Sequence, residues 1–217
     1  MNDPQGHNKN GPGLSRRDFL RGSGVAAAAS ALATAPLTPL AGAPTPTGDG
    51  KAVAMGPAPV KIKLSVNGKE MTTSVEPRVT LLDALRDYLD VTGCKRVCDR
   101  GTCGACTVML DGKPVYSCSM LALEAQGKAI KTAEALVADG KLDAVPAAFV
   151  HADAQQCGYC TPGFVMATKG FLDKHPNPTM DDVKHGLGGN LCRCGTYVGI
   201  RKAVLEAARE MKGGKNG

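Results

Sequence analysis

Four cysteines between Cys98 and Cys118 constrain the fold of this chain more than any other feature of its sequence. They follow the pattern C-x4-C-x2-C-x11-C, and the first three lie within the segment C-D-R-G-T-C-G-A-C. If all four thiolates bind one metal centre, the chain between them has to fold back tightly. Gly101 and Gly104 suit such a loop, because glycine accepts a positive φ and lets backbone N–H groups approach a ligand closely.

The spacing of these cysteines indicates the kind of metal centre. Gaps of four and then two residues are typical of plant-type [2Fe–2S] ligation. Such a centre transfers electrons, and the sequence shows no nucleophile–base set that would indicate bond chemistry. We therefore predict an electron-carrying site and no catalytic residues in this chain.

A second group of cysteines lies in the C-terminal part. Cys157 and Cys160 form a C-x2-C pair, and Cys192 and Cys194 form a C-x-C pair further along. If the two pairs lie at the ends of antiparallel helices they meet, which predicts another site with four cysteine ligands. The spacing fits no zinc ribbon well, and no His follows the C-x2-C pairs, which excludes c-type haem.

The remaining cysteine and three histidines fit neither group. We interpret Cys94 as a spare thiol rather than as a ligand in place of Cys98. His151, His175 and His185 have no ligand spacing and are predicted to lie on the surface. For the other eight cysteines, a disulfide scaffold or structural zinc is the alternative.

The N-terminal stretch predicts export. The segment S-R-R-D-F-L-R at residues 15–21 resembles the twin-arginine translocation motif, and an uncharged run rich in Ala follows over residues 22–48. Its weak hydrophobicity suits a signal peptide better than a stable membrane span, although a retained anchor is the alternative. We assign residues 1–43 to a twin-arginine signal with Arg16 and Arg17 as its signature. The expected location is the periplasm, reached in the folded state.

Local patterns after the linker at residues 44–59 predict a sheet. Residues 60–66 alternate apolar and polar side chains, and Asn67-Gly68 and Asp111-Gly112 are favoured hairpin turns. Thr80 resembles the N-cap of one helix. Further strands are expected at 71–75, 107–110, 114–116 and 129–132. Together these elements predict a β-grasp domain over residues 60–134.

The C-terminal part, residues 135–217, predicts a helical domain. Helices are expected over residues 145–154, 162–174 and 196–211. A further helix is expected to begin at a capping box at Thr179. In the last of these helices, the side chains expected to face inward are Val198, Ala203, Val204 and Ala207.

Three motifs together resemble a known family. They are C-D-R-G-T-C-G-A-C-T-V, Q-C-G-Y-C-T-P-G-F and G-N-L-C-R-C-G-T-Y, in that order. They resemble the iron–sulfur small subunit of the molybdenum hydroxylases, which include xanthine dehydrogenase and the aldehyde oxidoreductases. With its export signal, the chain looks most like the periplasmic aldehyde oxidoreductases of this family. It departs from the family at Cys94 and Val97, where Thr and Gly are usual.

The resemblance implies a fold, two cofactors and their ligands. The implied fold is α+β, with a plant-ferredoxin-like β-grasp domain followed by a four-helix-bundle domain, and each holds one [2Fe–2S] cluster. The implied ligands of the first cluster are Cys98, Cys103, Cys106 and Cys118, and those of the second are Cys157, Cys160, Cys192 and Cys194. Gln156 and Cys194 fall on positions that usually approach the molybdopterin of a partner.

The resemblance also implies partners and a reaction. The expected partners are a large molybdopterin-binding subunit and a medium FAD-binding subunit, although a cytochrome is an alternative electron acceptor. The complex is expected to oxidise aldehydes to carboxylic acids with water as the oxygen source. Hydroxylation of isoquinoline- or nicotinate-type heterocycles is the alternative, and a free-standing ferredoxin-like carrier is less favoured. A net charge of +6 without a long basic run, and only 4% aromatic residues, give no case for nucleic-acid binding.

Overall fold

The computed structural model describes residues 56–138 and 140–213. The predicted signal at residues 1–43, the anchor considered as its alternative, and most of the linker lie outside these ranges. Within the described ranges, no helix combines the length and the apolar character that a membrane span requires.

Five strands form a mixed sheet in the N-terminal part. They are β1 (Val60–Val66), β2 (Lys69–Val75), β3 (Thr107–Leu110), β4 (Lys113–Tyr116) and β5 (Ala129–Lys131). Their order across the sheet is β2-β1-β5-β3-β4, with β1 and β5 parallel and the other neighbours antiparallel. The predicted strands are confirmed, with β2 beginning two residues earlier than expected.

Both predicted hairpin turns are confirmed by their backbone angles. The φ values are 53° at Asn67 and 78° at Gly68 in the first turn, and 48° at Asp111 and 75° at Gly112 in the second. Two consecutive positive φ angles match the two-residue turn whose twist fits antiparallel strands. Asn, Asp and Gly are the residues that tolerate this conformation.

One helical segment packs on the sheet. Helix α1 (Leu81–Asp83) begins as predicted at Thr80, whose hydroxyl accepts a 3.1 Å hydrogen bond from the Asp83 N–H. It continues as a π-helical turn over Ala84–Tyr88, where a regular helix was expected. Its fully buried leucines belong to the core of the sheet; they are Leu81, Leu82 and Leu85.

The π-helical turn ties this segment to the chain that leads into the first cysteine loop. Arg86 donates hydrogen bonds to the carbonyl oxygens of Thr92, at 2.9 Å, and Cys94, at 2.8 Å. Single π turns often occur at functional sites. Here the turn carries Arg86, whose hydrogen bonds support the entry to the loop.

Four helices form the C-terminal part. They are α2 (Ala144–His151), α3 (Thr161–Leu172), α4 (Met180–Gly186) and α5 (Tyr197–Gly213). The capping box at the start of α4 is confirmed, because Thr179 and Asp182 exchange hydrogen bonds of 3.2 and 2.8 Å. The helices share a core separate from that of the sheet, built around Phe149, Phe164, Met166, Ile200 and Val204.

The prediction for Val198 is wrong. This side chain is 82% exposed, whereas Ile200, Ala203, Val204 and Ala207 are buried. These four residues follow the i, i+3, i+4, i+7 spacing of one helix face. Val198 precedes Ile200 by two positions and therefore lies on the other side of α5.

The connection between sheet and helices contains a small element that the sequence did not reveal. Strands β6 (Val137–Ala138) and β7 (Lys141–Leu142) form a two-stranded sheet. Two-residue strands are too short to produce a periodic pattern. The predicted domain boundary between residues 134 and 135 falls within the 3-10 turn Ala133–Leu136 and remains a prediction.

Candidate metal centres

The first cysteine set surrounds the loop between the π-helical turn and β3. Cys118 joins it from the 3-10 turn Ser117–Ser119, which follows β4. As predicted, Gly101 and Gly104 have positive φ angles, of 69° and 70°. A Cβ at Gly101 would lie 2.6 Å from the Ser119 hydroxyl oxygen. The backbone conformation therefore favours glycine there, and a larger residue would also have to displace the Ser119 hydroxyl.

The thiols of this set are arranged as two close pairs. Cys103 contributes to the pKa of Cys98, and Cys118 contributes to the pKa of Cys106, so the two thiols of each pair lie close together. In the described part of the chain, no group of three or more His, Cys, Asp or Glu side chains surrounds the position of a single ion. A [2Fe–2S] cluster does not require such a group, since each of its irons takes two protein sulfurs.

Backbone N–H groups reach two sulfurs of this site, and the hydrogen bonds at Cys98 favour its thiolate form. Thr102 N–H lies 3.4 Å from Cys98 Sγ, and Gly101 N–H lies 3.2 Å from Cys118 Sγ. Hydrogen bonds from Thr102, with help from the Arg100 backbone, lower the pKa of Cys98 to about 6. The thiolate is the form that binds metals.

On the inner side of the first site, burial disfavours the thiolate form. Burial raises the pKa of the Cys106 thiol to about 12. This thiol needs a metal for ionisation, because a coordinating metal deprotonates a thiol outright.

The second set lies where helices begin and end. Cys160 is the N-cap of α3, Cys157 lies in the loop before it, and Cys192 and Cys194 lie in the loop between α4 and α5. Here too the thiols form two pairs, Cys160 with Cys192 and Cys157 with Cys194. Cys157 and Cys194 are exposed, whereas Cys192 is buried. One pair therefore opens to the surface and the other faces the protein interior.

A hydroxyl donor supports the inner pair of the second set. Thr196 Oγ1 lies 3.2 Å from Cys192 Sγ, and the Cys192 N–H donates a 2.8 Å hydrogen bond to the Tyr197 hydroxyl. Although burial opposes ionisation, the hydrogen bonds from Thr196 lower the pKa of Cys192 to about 7.

A cavity of about 420 Å³ lies beside these thiols and reaches the first set. Its walls include Cys157, Cys160 and Cys192, together with Cys103 and the exposed Val97. A [2Fe–2S] cluster is held by four cysteine thiolates, and each set provides four, arranged as two close pairs. The residues of both sets therefore fit the cofactor that their spacing implies.

A backbone hydrogen bond joins the two sets directly. The Leu191 N–H donates to the Cys103 carbonyl oxygen at 2.9 Å, and Leu191 immediately precedes Cys192. One hydrogen bond and the covalent bonds of three residues therefore connect a thiol of the first set with a thiol of the second.

The remaining predicted residues lie apart from both thiol sets or at their edge. Cys94 is 2% exposed, its thiol lies 3.8 Å from the Val91 carbonyl oxygen, and burial raises its pKa to about 11. A buried neutral thiol of this kind behaves as a small apolar side chain. Gln156 is exposed beside Cys157. As predicted, the side chains of three histidines are exposed, namely His151, His175 and His185.

Sequence reasoning missed several residues that shape the two sites. Arg86, Thr196 and Asn190 donate hydrogen bonds to the loops or to a thiol. Asn190 and Thr196 flank the C-x-C pair, so proximity in sequence was the available signal. No periodicity or spacing indicates which polar side chain near a ligand is buried.

Comparison with known families agrees with this geometry. A 2Fe-2S iron-sulfur cluster binding domain matches residues 64–136, and a [2Fe-2S] binding domain matches residues 132–205. The signal sequence of the twin-arginine translocation pathway matches residues 13–33, which indicates export to the periplasm. The fold and the two thiol sets thus define an electron-transfer protein with two [2Fe–2S] clusters.

Individual relatives identify the family more closely. The chain is 45% identical to the nicotine 6-hydroxylase small subunit of Paenarthrobacter nicotinovorans, over 71% of this chain and 92% of the relative. It is 40% identical to the aldehyde oxidoreductase iron-sulfur-binding subunit PaoA of Escherichia coli O157:H7, over 69% and 72%. The structure of quinoline 2-oxidoreductase from Pseudomonas putida 86 matches with a TM-score of 0.65 and 40% identity, over 70% and 98%. The chain belongs to the family of iron–sulfur small subunits of molybdenum hydroxylases.

Proposed function

We propose that this chain relays electrons within an exported molybdenum hydroxylase complex, from the molybdopterin site of a large subunit to a flavin subunit or another acceptor. Family membership supports the electron-transfer role, and the twin-arginine signal supports export. The observation that carries the relay is the hydrogen bond between Leu191 and Cys103, because it joins the two thiol sets by a short path.

The two thiol sets hold the clusters in this proposal. The first cluster is bound by Cys98, Cys103, Cys106 and Cys118, and the second by Cys157, Cys160, Cys192 and Cys194. When bound, a [2Fe–2S] cluster accepts and releases one electron at a time, at a potential that depends on hydrogen bonds to the sulfurs and on solvent exposure. The N–H groups of Gly101 and Thr102 and the hydroxyl of Thr196 supply such hydrogen bonds.

The exposure of the thiols supports the direction of the relay. Cys157 and Cys194 are exposed next to Gln156, so a partner that docks there reaches the second cluster site directly. We assign this side to the large molybdopterin-binding subunit. The first loop exposes Thr102 and leaves Cys98 half-buried, which gives the first site its own access to an FAD-binding subunit.

The proposed reaction of the complex is oxidation of aldehydes to carboxylic acids with water as the oxygen source. The name of the Escherichia coli relative supports aldehydes. Hydroxylation of nitrogen heterocycles is the second candidate, supported by the names of the nicotine and quinoline enzymes. Turnover of the purified complex with an aromatic aldehyde, nicotinate and quinoline, using a dye acceptor and ¹⁸O-labelled water, distinguishes the candidates.

Iron analysis and electron paramagnetic resonance test the relay itself. The reduced complex should contain four irons per copy of this chain and show two distinct rhombic [2Fe–2S] signals. A single signal, or zinc in place of iron, would refute the proposal. This chain supplies no residue for substrate binding in the proposal, so the substrate result and the relay result are independent.

A further inference from the structure

We propose that Asn190 is a positioning residue that holds the two cluster-binding loops at a fixed separation and thereby sets electron transfer between the clusters. The proposal rests on the proposed function, because it takes the cysteines of both loops as cluster ligands. It adds a residue that binds neither iron nor, in our assignment, a partner.

The Asn190 side chain is buried and makes specific contacts with the first loop. The residue is 5% exposed, and its Nδ2 donates to the Gly104 carbonyl oxygen at 3.0 Å and toward Thr107 Oγ1 at 3.5 Å. The Thr107 hydroxyl donates to the same carbonyl at 2.6 Å. A buried amide without these partners would have lost its hydrogen bonds to water and gained none from the protein, which costs free energy. The observed position of the Asn190 side chain is therefore strongly favoured.

These contacts connect the ligand-bearing segments of the two sites. Gly104 lies between Cys103 and Cys106, and Asn190 lies two positions before Cys192. The next residue, Leu191, donates its N–H to the carbonyl of Cys103. Two consecutive residues of one loop therefore bind two consecutive carbonyls of the other, which restricts both the distance and the rotation between the loops.

A third segment packs onto the same point. A Cβ at Gly163, near the start of α3, would press against the Gly104 carbonyl oxygen and lie 2.9 Å from Ala105 Cα. Helix α3 begins directly after Cys160. The segments that follow Cys160 and precede Cys192 therefore both contact Gly104, and the three segments cannot slide past one another without breaking these contacts.

The chemistry of the contact favours Asn over residues of similar shape. An aspartate at this position would not serve, since a carboxylate oxygen in place of Nδ2 faces the Gly104 carbonyl oxygen with like partial charge. An alanine removes the donor without a clash, and leaves the Gly104 carbonyl to Thr107 alone. Asn190→Asp thus replaces the hydrogen bond to the Gly104 carbonyl by electrostatic repulsion. Asn190→Ala removes the hydrogen bond and puts no interaction in its place.

Asn67 provides a matched control within the sheet. Its Nδ2 donates to Thr132 Oγ1 and its Oδ1 accepts from the Thr132 N–H, each at 2.9 Å. Like Asn190, Asn67 makes side-chain hydrogen bonds to a residue distant in sequence. Its partner, however, does not belong to a cysteine loop. Asn67 has a φ of 53°, a conformation that Asp also tolerates, so Asn67→Asp keeps the turn.

The experiment compares the unmodified complex with Asn190→Asp, Asn190→Ala and Asn67→Asp. Iron content, thermal unfolding and the electron paramagnetic resonance spectrum of the fully reduced complex are measured for each. We expect four irons and both signals throughout, with a smaller splitting from spin coupling between the clusters in both Asn190 variants and the full splitting in the control. Freeze-quench reduction by substrate should show a longer delay between reduction of the second cluster and reduction of the first in those variants than in the unmodified complex.

The outcomes separate this proposal from the one on which it rests. Unchanged coupling and an unchanged delay between the two cluster reductions in Asn190→Ala, with only a lower unfolding temperature, would overturn the positioning role. Loss of coupling in Asn67→Asp would overturn it as well, since the effect would then be general destabilisation. An unmodified complex without two [2Fe–2S] signals would instead overturn the proposed function.

Discussion

Replacement of Gly163 by Ala should destabilise the protein, although alanine is the better helix former. Gly163 is the third residue of α3, and a Cβ there would contact backbone atoms of Gly104 and Ala105 rather than a flexible side chain. Backbone atoms cannot rotate away, so either the helix or the first cysteine loop has to move.

The expected change in the free energy of unfolding is the difference between two opposing effects of Gly163→Ala. Ala is favoured over Gly within a helix by about 0.5–1 kcal/mol, whereas overpacking of a close-packed contact costs about 1–3 kcal/mol. With the middle of each range, the net destabilisation is about 1 kcal/mol. For a folded region of this size, each kcal/mol shifts Tm by roughly 2–4 °C, so Tm should fall by about 2–4 °C.

Thermal unfolding followed by circular dichroism measures this shift. Gly213→Ala, at the end of α5, is the matched control, because a Cβ there meets no atom within 4 Å. Its Tm should stay the same or rise slightly. If Gly163→Ala were as stable as the unmodified protein, the helix and the loop would be free to separate, and the rigid contact at Gly104 would be refuted.

Three further substitutions test the sites and one helix. Cys103→Ser should remove one [2Fe–2S] signal and block turnover with an external acceptor while the molybdenum stays reducible; surviving turnover would contradict the linear relay. Thr196→Val removes the hydroxyl 3.2 Å from Cys192 Sγ and should lower the potential of the second cluster by roughly 40 mV for a change of about 1 kcal/mol, whereas Thr196→Ser should keep it. A redox titration followed by electron paramagnetic resonance measures that shift, and equal potentials in Thr196→Val and Thr196→Ser would argue against the hydroxyl. Thr179→Ala removes a capping box and should cost about 1 kcal/mol, seen as a lower Tm with both cluster signals intact.

The sheet could be predicted from the sequence because its signals are local. Alternation over Val60–Val66, the Asn67-Gly68 turn and the Thr80 cap each specify structure within a few residues. The last helix shows the limit of such signals. Val198 is apolar and close to the inward stripe, and only the packing of Ile200 against the other helices reveals which face is buried.

The cysteine spacing predicted two sites but not how each is held. Spacing within the first set reveals the tight loop, since Gly101 and Gly104 lie between its ligands. The pairing of Cys160 with Cys192 and the contact of Asn190 with Gly104 depend on tertiary packing instead. Asn190 and Gly104 are 86 positions apart, and no local pattern connects them.

The shared contacts of Cys103 and Gly104 also affect how the cofactors are inserted. Both carbonyls lose hydrogen-bond partners when the helical part is undocked, so these contacts couple the two cluster-binding loops. Because a bound cofactor stabilises the docked arrangement, filling one site lowers the free-energy cost of preparing the other. We therefore expect cooperative loading, in which the population shifts from iron-free to fully loaded chains with little of a two-iron form, and native mass spectrometry during reconstitution measures this distribution. Nearly every chain would then hold either both clusters or none before it crosses the membrane.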